Sequence, residues 1–172
     1  MTFNKILSNQ FCQAAILALR DWVIELETAN HFVYPGDKAP SDEQVDMHGF
    51  FLHSVHNEIR WHVIADYISK ESARYIPRYA QEHGKTVGKL STTDARRIFL
   101  NMLLIELEEG CRVTSESQNM EAGCAYEIML YTLQTMGEKK AMQGFAKVHK
   151  EIELWGYEIP EVTEVSPESD KE

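Results

Sequence analysis

A chain of 172 residues, 44% apolar and with a net charge of −10, is sized for one domain with a core of its own. Its three cysteines, Cys12, Cys111 and Cys124, have no C-x-x-C spacing, which argues against a disulfide framework or a thiolate zinc site and for reduced thiols. No run reaches the roughly 18 apolar residues of a membrane helix, Met1 to Gln10 does not read as a secretory leader, and the net charge opposes duplex DNA, so a cytoplasmic protein is expected.

In chain order, the first helix is predicted from about Ser8 to Asn30. Phe11, Ala14, Ala15, Ala18, Trp22 and Leu26 come close to the 3.6-residue period, and Ile16, Leu17, Leu19, Val23 and Ile24 fill other sides. A helix apolar on most faces belongs at the centre of a fold or at an oligomer interface. His31 to Pro40 reads as a loop turning at Pro35-Gly36. Ser41 with Gln44 has the capping-box pattern and opens a second helix, expected from Asp42 to near Ser72 and limited by Pro77. Alternatively, Pro77 opens a short helix ending before Gly84, with Gly84 to Leu90 as a loop.

Thr93-Asp94 is read as the cap of a third helix running through Ile98, Phe99, Met102 and Ile105, with Gly110 as its stop. A fourth covers about Ser115 to Met136, and Gly137 separates it from a fifth, Glu138 to Leu154. Tyr157 to Glu172 holds six acids, two prolines and one lysine, and is expected to be a disordered acidic tail in which Ile159, Val162 and Val165 recur every three residues. The fold class is therefore all-α, a compact bundle of four to five long helices in residues 1–156 followed by the tail.

Charge is unevenly spread. From Lys70 to Arg97, seven cations (Lys70, Arg74, Arg78, Lys85, Lys89, Arg96, Arg97) face three acids (Glu71, Glu82, Asp94), a local +4 against −14 elsewhere. Such a band suits an acidic or phosphate-bearing partner, and Lys70, Arg74, Tyr75, Arg78, Tyr79, Arg96 and Arg97 are its expected contact residues.

On a single wheel for the second helix, Leu52, Val55, Ile59 and Val63 form one apolar stripe, with Phe50, Ile64 and Ile68 opposite. Apolarity on two sides predicts a layer between two others or a homodimer interface, and a homodimer is preferred. His48, His56, His62 and Asp66 fall on or beside the first stripe. Glu58, His62 and Asp66 follow at four-residue intervals, a ridge able to offer ligands to a metal, with Glu106 and Glu109 as opposing donors. The Glu-x-x-His pairs of helical di-iron proteins are missing from the sequence, so no cofactor is expected and the ridge reads as hydrogen-bonded structure.

Two further motifs carry chemistry. Arg78 and His83, in the segment RYAQEH, resemble the arginine–histidine pair of the HEPN ribonucleases. The resemblance implies RNA as substrate, with His83 as general acid or base and Arg78 stabilising phosphate charge. Tyr75 and Tyr79 beside them offer rings for base stacking. In that family a small polar residue usually follows the arginine, whereas Tyr79 stands here. Glu106-x-x-Glu109 matches half of the magnesium motif of all-α nucleotide pyrophosphohydrolases, but no Glu-x-x-Asp follows it and the acids from Glu121 to Glu127 read as a solvated face. With no nucleophile elbow and no phosphate-cradling loop, the reading is a non-catalytic accessory or inhibitory protein that binds a protein partner through helix surfaces and segregated charge. An RNA-directed enzyme or binder stands second, and a metal-carboxylate bundle third.

Overall fold

The computed structural model of the protein describes residues 3–30 and 53–154. They form α1 (Phe3–Ile6), α2 (Asn9–Asn30), a helical stretch at 53–57, α3 (Trp61–Glu82), a 3-10 turn (Val87–Lys89), α4 (Thr92–Glu116) and α5 (Met120–Leu154). Among the described residues there is no strand, and the protein is an all-α bundle. The His31–Pro40 loop, the Ser41 capping box, His48, Phe50 and the acidic segment from Tyr157 lie outside the described residues.

Helix α2 packs against both α3 and α5, and α4 packs against α3 and α5. The core follows from this arrangement. Phe11, Ala15, Ile16, Leu19 and Val23 of α2 are buried together with Ile98, Phe99, Leu103 and Leu107 of α4 and Met129 and Phe145 of α5. Phe145 sits between two rings, 6.3 Å from Phe11 and 5.0 Å edge-on to Phe99. An α2 apolar on most faces is thus explained by its central place, with Trp22 covering the bare backbone of Gly144. No helix among the described residues is long and apolar enough to cross a membrane.

The second helix is not the continuous rod expected from Asp42 to Ser72. The chain leaves helical geometry after residue 57 and re-enters at Trp61, with Arg60 at φ −84° and ψ 77°. The corner is closed by its own residues. Trp61 Nε1 donates to the Val55 carbonyl at 3.0 Å, meeting an acceptor that the break leaves open, while Ile59 is buried beneath. Three residues outside the helix change its phase. Val55 and Ile59 point inward before the break, whereas Trp61, Ile64, Ala65, Ile68 and Ser72 point inward after it and Val63 is exposed. Among the described residues, Val55 and Ile59 of one side of the wheel and Ile64 and Ile68 of the other are therefore all buried, from two segments of different phase.

Pro77 does not end α3, which continues to Glu82. Proline cannot donate to the Ala73 carbonyl, but both residues lie on the exposed side, where water takes the place of the missing donor. The helix stops at His83, and Gly84 follows at φ +62° in the left-handed region.

Helix α4 starts two residues earlier than a cap at Thr93 implies. Its N-cap is Ser91, whose hydroxyl accepts from the Asp94 N–H at 3.1 Å while the Asp94 carboxylate accepts from the Ser91 N–H at 2.8 Å, a reciprocal capping box. Gly110 does not stop α4, which runs on to Glu116. Its role is close approach, since a Cβ there would overlap the Tyr126 ring of α5. Gly137 interrupts α5 at φ 84° and ψ 162°, a conformation only glycine adopts readily, and divides the expected fourth and fifth helices.

Candidate functional site

The basic band folds into the exposed face of α3, the turn after it and the first turns of α4. Five of its seven cations meet carboxylates: Lys70 with Asp66 (2.9 Å), Arg74 with Glu71 (3.6 Å), Arg78 with Glu82 (3.0 Å), Lys85 with Asp94 (3.0 Å) and Arg97 with Glu138 (2.7 Å). Asp66 and Glu138 come from outside the Lys70–Arg97 window, so folding lowers the band's effective charge below +4. Among the described residues, Lys89 and Arg96 have no carboxylate within ion-pair distance.

These pairs differ in kind. On α3 the cations project outward, with side chains of Lys70, Arg74 and Arg78 exposed by 70%, 86% and 76%. At steps of four residues they share one lane, and the exposed Val63 and Tyr67 continue it toward the helix start. Each pair there is a solvated helix contact of about 0.3–0.5 kcal/mol, readily exchanged for an incoming carboxylate.

The Asp94 pair belongs to the interior. Its carboxylate accepts from Tyr79 Oη at 2.8 Å, Lys85 Nζ at 3.0 and 3.1 Å, and the Ser91 N–H and hydroxyl at 2.8 and 2.9 Å. Burial pushes the Asp94 pKa up, but the Ser91, Tyr79 and Lys85 hydrogen bonds together outweigh it and hold the group well below the usual carboxylate range. Burial and the bond to Asp94 raise the Tyr79 pKa, and Arg97 Nη1 donates to the same phenol oxygen at 3.3 Å. This cluster ties the end of α3, the following turn and the start of α4 into one unit. Asp94 was legible in the sequence only as a cap. Ser91-x-x-Asp94 before an apolar run is the local signal for the correct box, while nothing local announces Tyr79 or Lys85.

Arg78 and His83 occupy different sides of the helix end. Arg78 turns to Glu82. The His83 ring stacks on Tyr79 at 4.0 Å and 24°, with Nδ1 2.9 Å from the Tyr79 carbonyl oxygen. Five residues on an α-helix separate two side chains by about 140°, so the pair does not converge on one point here. Tyr79 is fully buried and Tyr75 half-buried, with its hydroxyl accepting from Asn101 Nδ2 at 3.2 Å. Neither ring lies open like a stacking platform.

The expected ligand ridge is divided by the corner at Arg60. Glu58 lies in the break, and Asp66 accepts from Asn9 Nδ2 at 2.8 Å while pairing with Lys70. His62 is half-buried on α3. His56 is exposed on the earlier segment, where partial burial, with Arg20 nearby, lowers its pKa. On α4, burial and the neighbouring Glu109 raise the Glu106 pKa, and Glu109 itself pairs with Arg112. Among the described residues, no three histidines, cysteines or acids gather as a metal site would require.

Comparison with family models, with curated proteins and with solved structures finds no match to this chain. Its functional reading rests on the surfaces described above.

Proposed function

We propose that the protein is a non-catalytic binding protein of the cytoplasm, an accessory or inhibitory chain that engages an acidic protein partner through α3. The observation that carries this reading is the lane of Val63, Tyr67, Lys70, Arg74 and Arg78. It combines two exposed apolar side chains with three outward cations held only by exchangeable helix pairs. An acidic peptide or helix with apolar side chains at one end complements it in charge and in shape. Ile64 and Ile68 are used by the chain's own core, so on α3 self-association as a homodimer would draw on the exposed Val63 and Tyr67. The interior cluster around Asp94 makes the lane rigid at its C-terminal end, which lowers the ordering cost of binding.

The test is capture from extracts of the native host with the wild type and with a Lys70→Glu/Arg74→Glu/Arg78→Glu variant. A defined protein retained by the wild type, released by raised salt and absent from the variant is expected. An identical set of proteins on both baits sinks the reading, and RNA recovered in place of protein replaces it with a nucleic-acid function. Sedimentation of the wild type across a concentration series tests the homodimer.

A further inference from the structure

The α3 lane has a counterpart on α5. Helices α3 and α5 each pack against α2 and α4, so they stand at opposite corners of the bundle. On α5, ahead of the break at Gly137, Met120, Cys124, Glu127 and Tyr131 fall within a sector of about 60° at 100° per residue. The sector points to solvent. Glu127 is exposed, Cys124 is half-buried, and Met120 and Tyr131 are the most exposed large apolar side chains among the described residues. Glu108 of α4 adds a second carboxylate at its edge, 3.4 Å from Gln134 Nε2. Burial, and after it the charges of Glu127 and Glu108, raise the Cys111 pKa, so both carboxylates lie around one thiol. From Ile105 to Tyr131 the chain carries six glutamates against Arg112 alone, a local −5.

The two lanes share one spacing. Val63, Tyr67, Lys70 and Arg74 advance by four, three and four residues, as do Met120, Cys124, Glu127 and Tyr131. Laid parallel with Val63 against Met120, every later position comes level, because both helices rise about 1.5 Å per residue. Tyr67 then faces Cys124, Lys70 faces Glu127 and Arg74 faces Tyr131. The first two contacts are apolar, the third is an ion pair, and the fourth sets a guanidinium on an aromatic ring. Arg78 comes level with Gln134 and Thr135, beside Glu108. Run antiparallel, the same lanes would set Tyr67 on Glu127 and Lys70 on Cys124, and the ion pair would be lost. A 4-3-4 spacing on both sides is that of helices packed side by side at a shallow angle.

We infer that a second copy of this chain is a ligand of the α3 lane, docking its α5 lane in parallel register with Glu127 against Lys70 and Tyr131 against Arg74. The inference rests on the reading of α3 as a binding lane and names an occupant for it. The contact is heterologous. The two lanes face away from each other, so a pair of copies cannot make it twice, and each copy leaves one lane for the next. Each α5 lane is about 16 Å long, which falls well short of the roughly 800 Å² per partner of a stable complex, so the association is weak and reversible. Two copies of charge −10 repel at long range, but fields decay over about 8 Å at physiological salt, and inside that distance the facing lanes decide. A foreign acidic partner has to displace the second copy, so self-association regulates access to the lane.

The experiment is sedimentation equilibrium over a concentration series with four full-length proteins: the wild type, Lys70→Glu, Glu127→Lys, and Lys70→Glu/Glu127→Lys. Both positions are exposed on helices, and circular dichroism verifies the fold. The wild type is expected to associate as its concentration rises. Each single variant should associate about tenfold more weakly, since an attractive pair becomes a like-charged one. An equimolar mixture of the two single variants should regain the wild-type affinity but stop at a dimer, because only the α3 lane of one and the α5 lane of the other still match. The double variant, with the pair exchanged, should regain open association. A wild type that stays monomeric throughout overturns the inference. So does a Glu127→Lys variant that associates like the wild type, the result for an α3-to-α3 dimer or for another acidic surface as ligand. A mixture no stronger than its components overturns it too. The two readings fail separately. Capture of a foreign protein by a wild type that does not self-associate removes this inference alone, and self-association with no foreign protein captured removes the accessory reading alone.

Discussion

Replacing Asp94 by asparagine tests whether the joint between α3 and α4 is held as its geometry indicates. The carboxylate is 1% exposed and accepts from four donor groups: the Tyr79 hydroxyl, the Lys85 ammonium, and the Ser91 N–H and hydroxyl. Asparagine keeps one acceptor oxygen and places an NH2 donor against donors. The capping bond is worth about 1 kcal/mol, and hydrogen bonds involving a charged group about 1.5–3 kcal/mol each. Lys85 is half-exposed and recovers part of its solvation, which brings the net loss to about 3–5 kcal/mol, the range for breaking a buried ion pair. For a domain of this size that lowers the melting temperature by about 10 °C. Urea unfolding followed by far-UV circular dichroism measures the change directly. The wild type adds a signature in pH. Because the folded-state pKa of Asp94 lies below its unfolded value near ~4, the folded protein binds fewer protons across that interval. Its contribution is complete above about pH 4 and is lost as the pH falls toward the folded value. The asparagine variant lacks that component of the acid slope. A variant within about 1 kcal/mol of wild type, or one with an unchanged acid slope, refutes the account of the joint.

Three further outcomes follow from the helices. Gly110→Ala gains about 1 kcal/mol of helix propensity but forces a Cβ into the Tyr126 ring, and chemical denaturation should show a net loss of about 1–3 kcal/mol. Pro77→Ala restores an N–H donor to the Ala73 carbonyl inside α3 and should raise the urea midpoint, by up to about 3 kcal/mol in stability; a lowered midpoint would show that the proline's fixed φ contributes more than its missing bond costs. Burial raises the Cys12 pKa to about 12 and places its thiol beside the Ile6 carbonyl. In mass-spectrometric mapping at mildly alkaline pH, Cys12 should resist iodoacetamide until the protein unfolds, whereas the half-buried Cys111 and Cys124 label earlier.

The positions of helices were legible where local rules suffice. The start of α2, the glycine break at Gly137 and the turn at Gly84 all follow from periodicity and from glycine's access to positive φ. The errors have a common physical form. Gly110 and Pro77 read as punctuation in the sequence, but a glycine inside a helix also serves close packing, and a proline is tolerated where the carbonyl it strands faces water. The corner at Arg60 carries neither glycine nor proline. It is held by the Trp61 indole reaching back to the Val55 carbonyl, a bond visible only once the chain has turned.

The same distinction governs the charged surface. A count along the chain sees pairs such as Arg78 with Glu82, whose partners stand four residues apart. It does not see Arg97 answered by Glu138 across the bundle, nor Lys70 answered by an Asp66 that falls just outside the window. Subtracting those two acids changes which cations matter. The interior members, Lys85 and Arg97, hold the α3–α4 joint, the α3 lane keeps three exchangeable pairs, and among the described residues Lys89 and Arg96 have no carboxylate partner. A cation's value to a partner depends on what it must give up to bind. On that measure the α3 lane can take a carboxylate at low cost, whereas the Asp94 cluster is closed to partners because opening it would cost about 3–5 kcal/mol of fold stability.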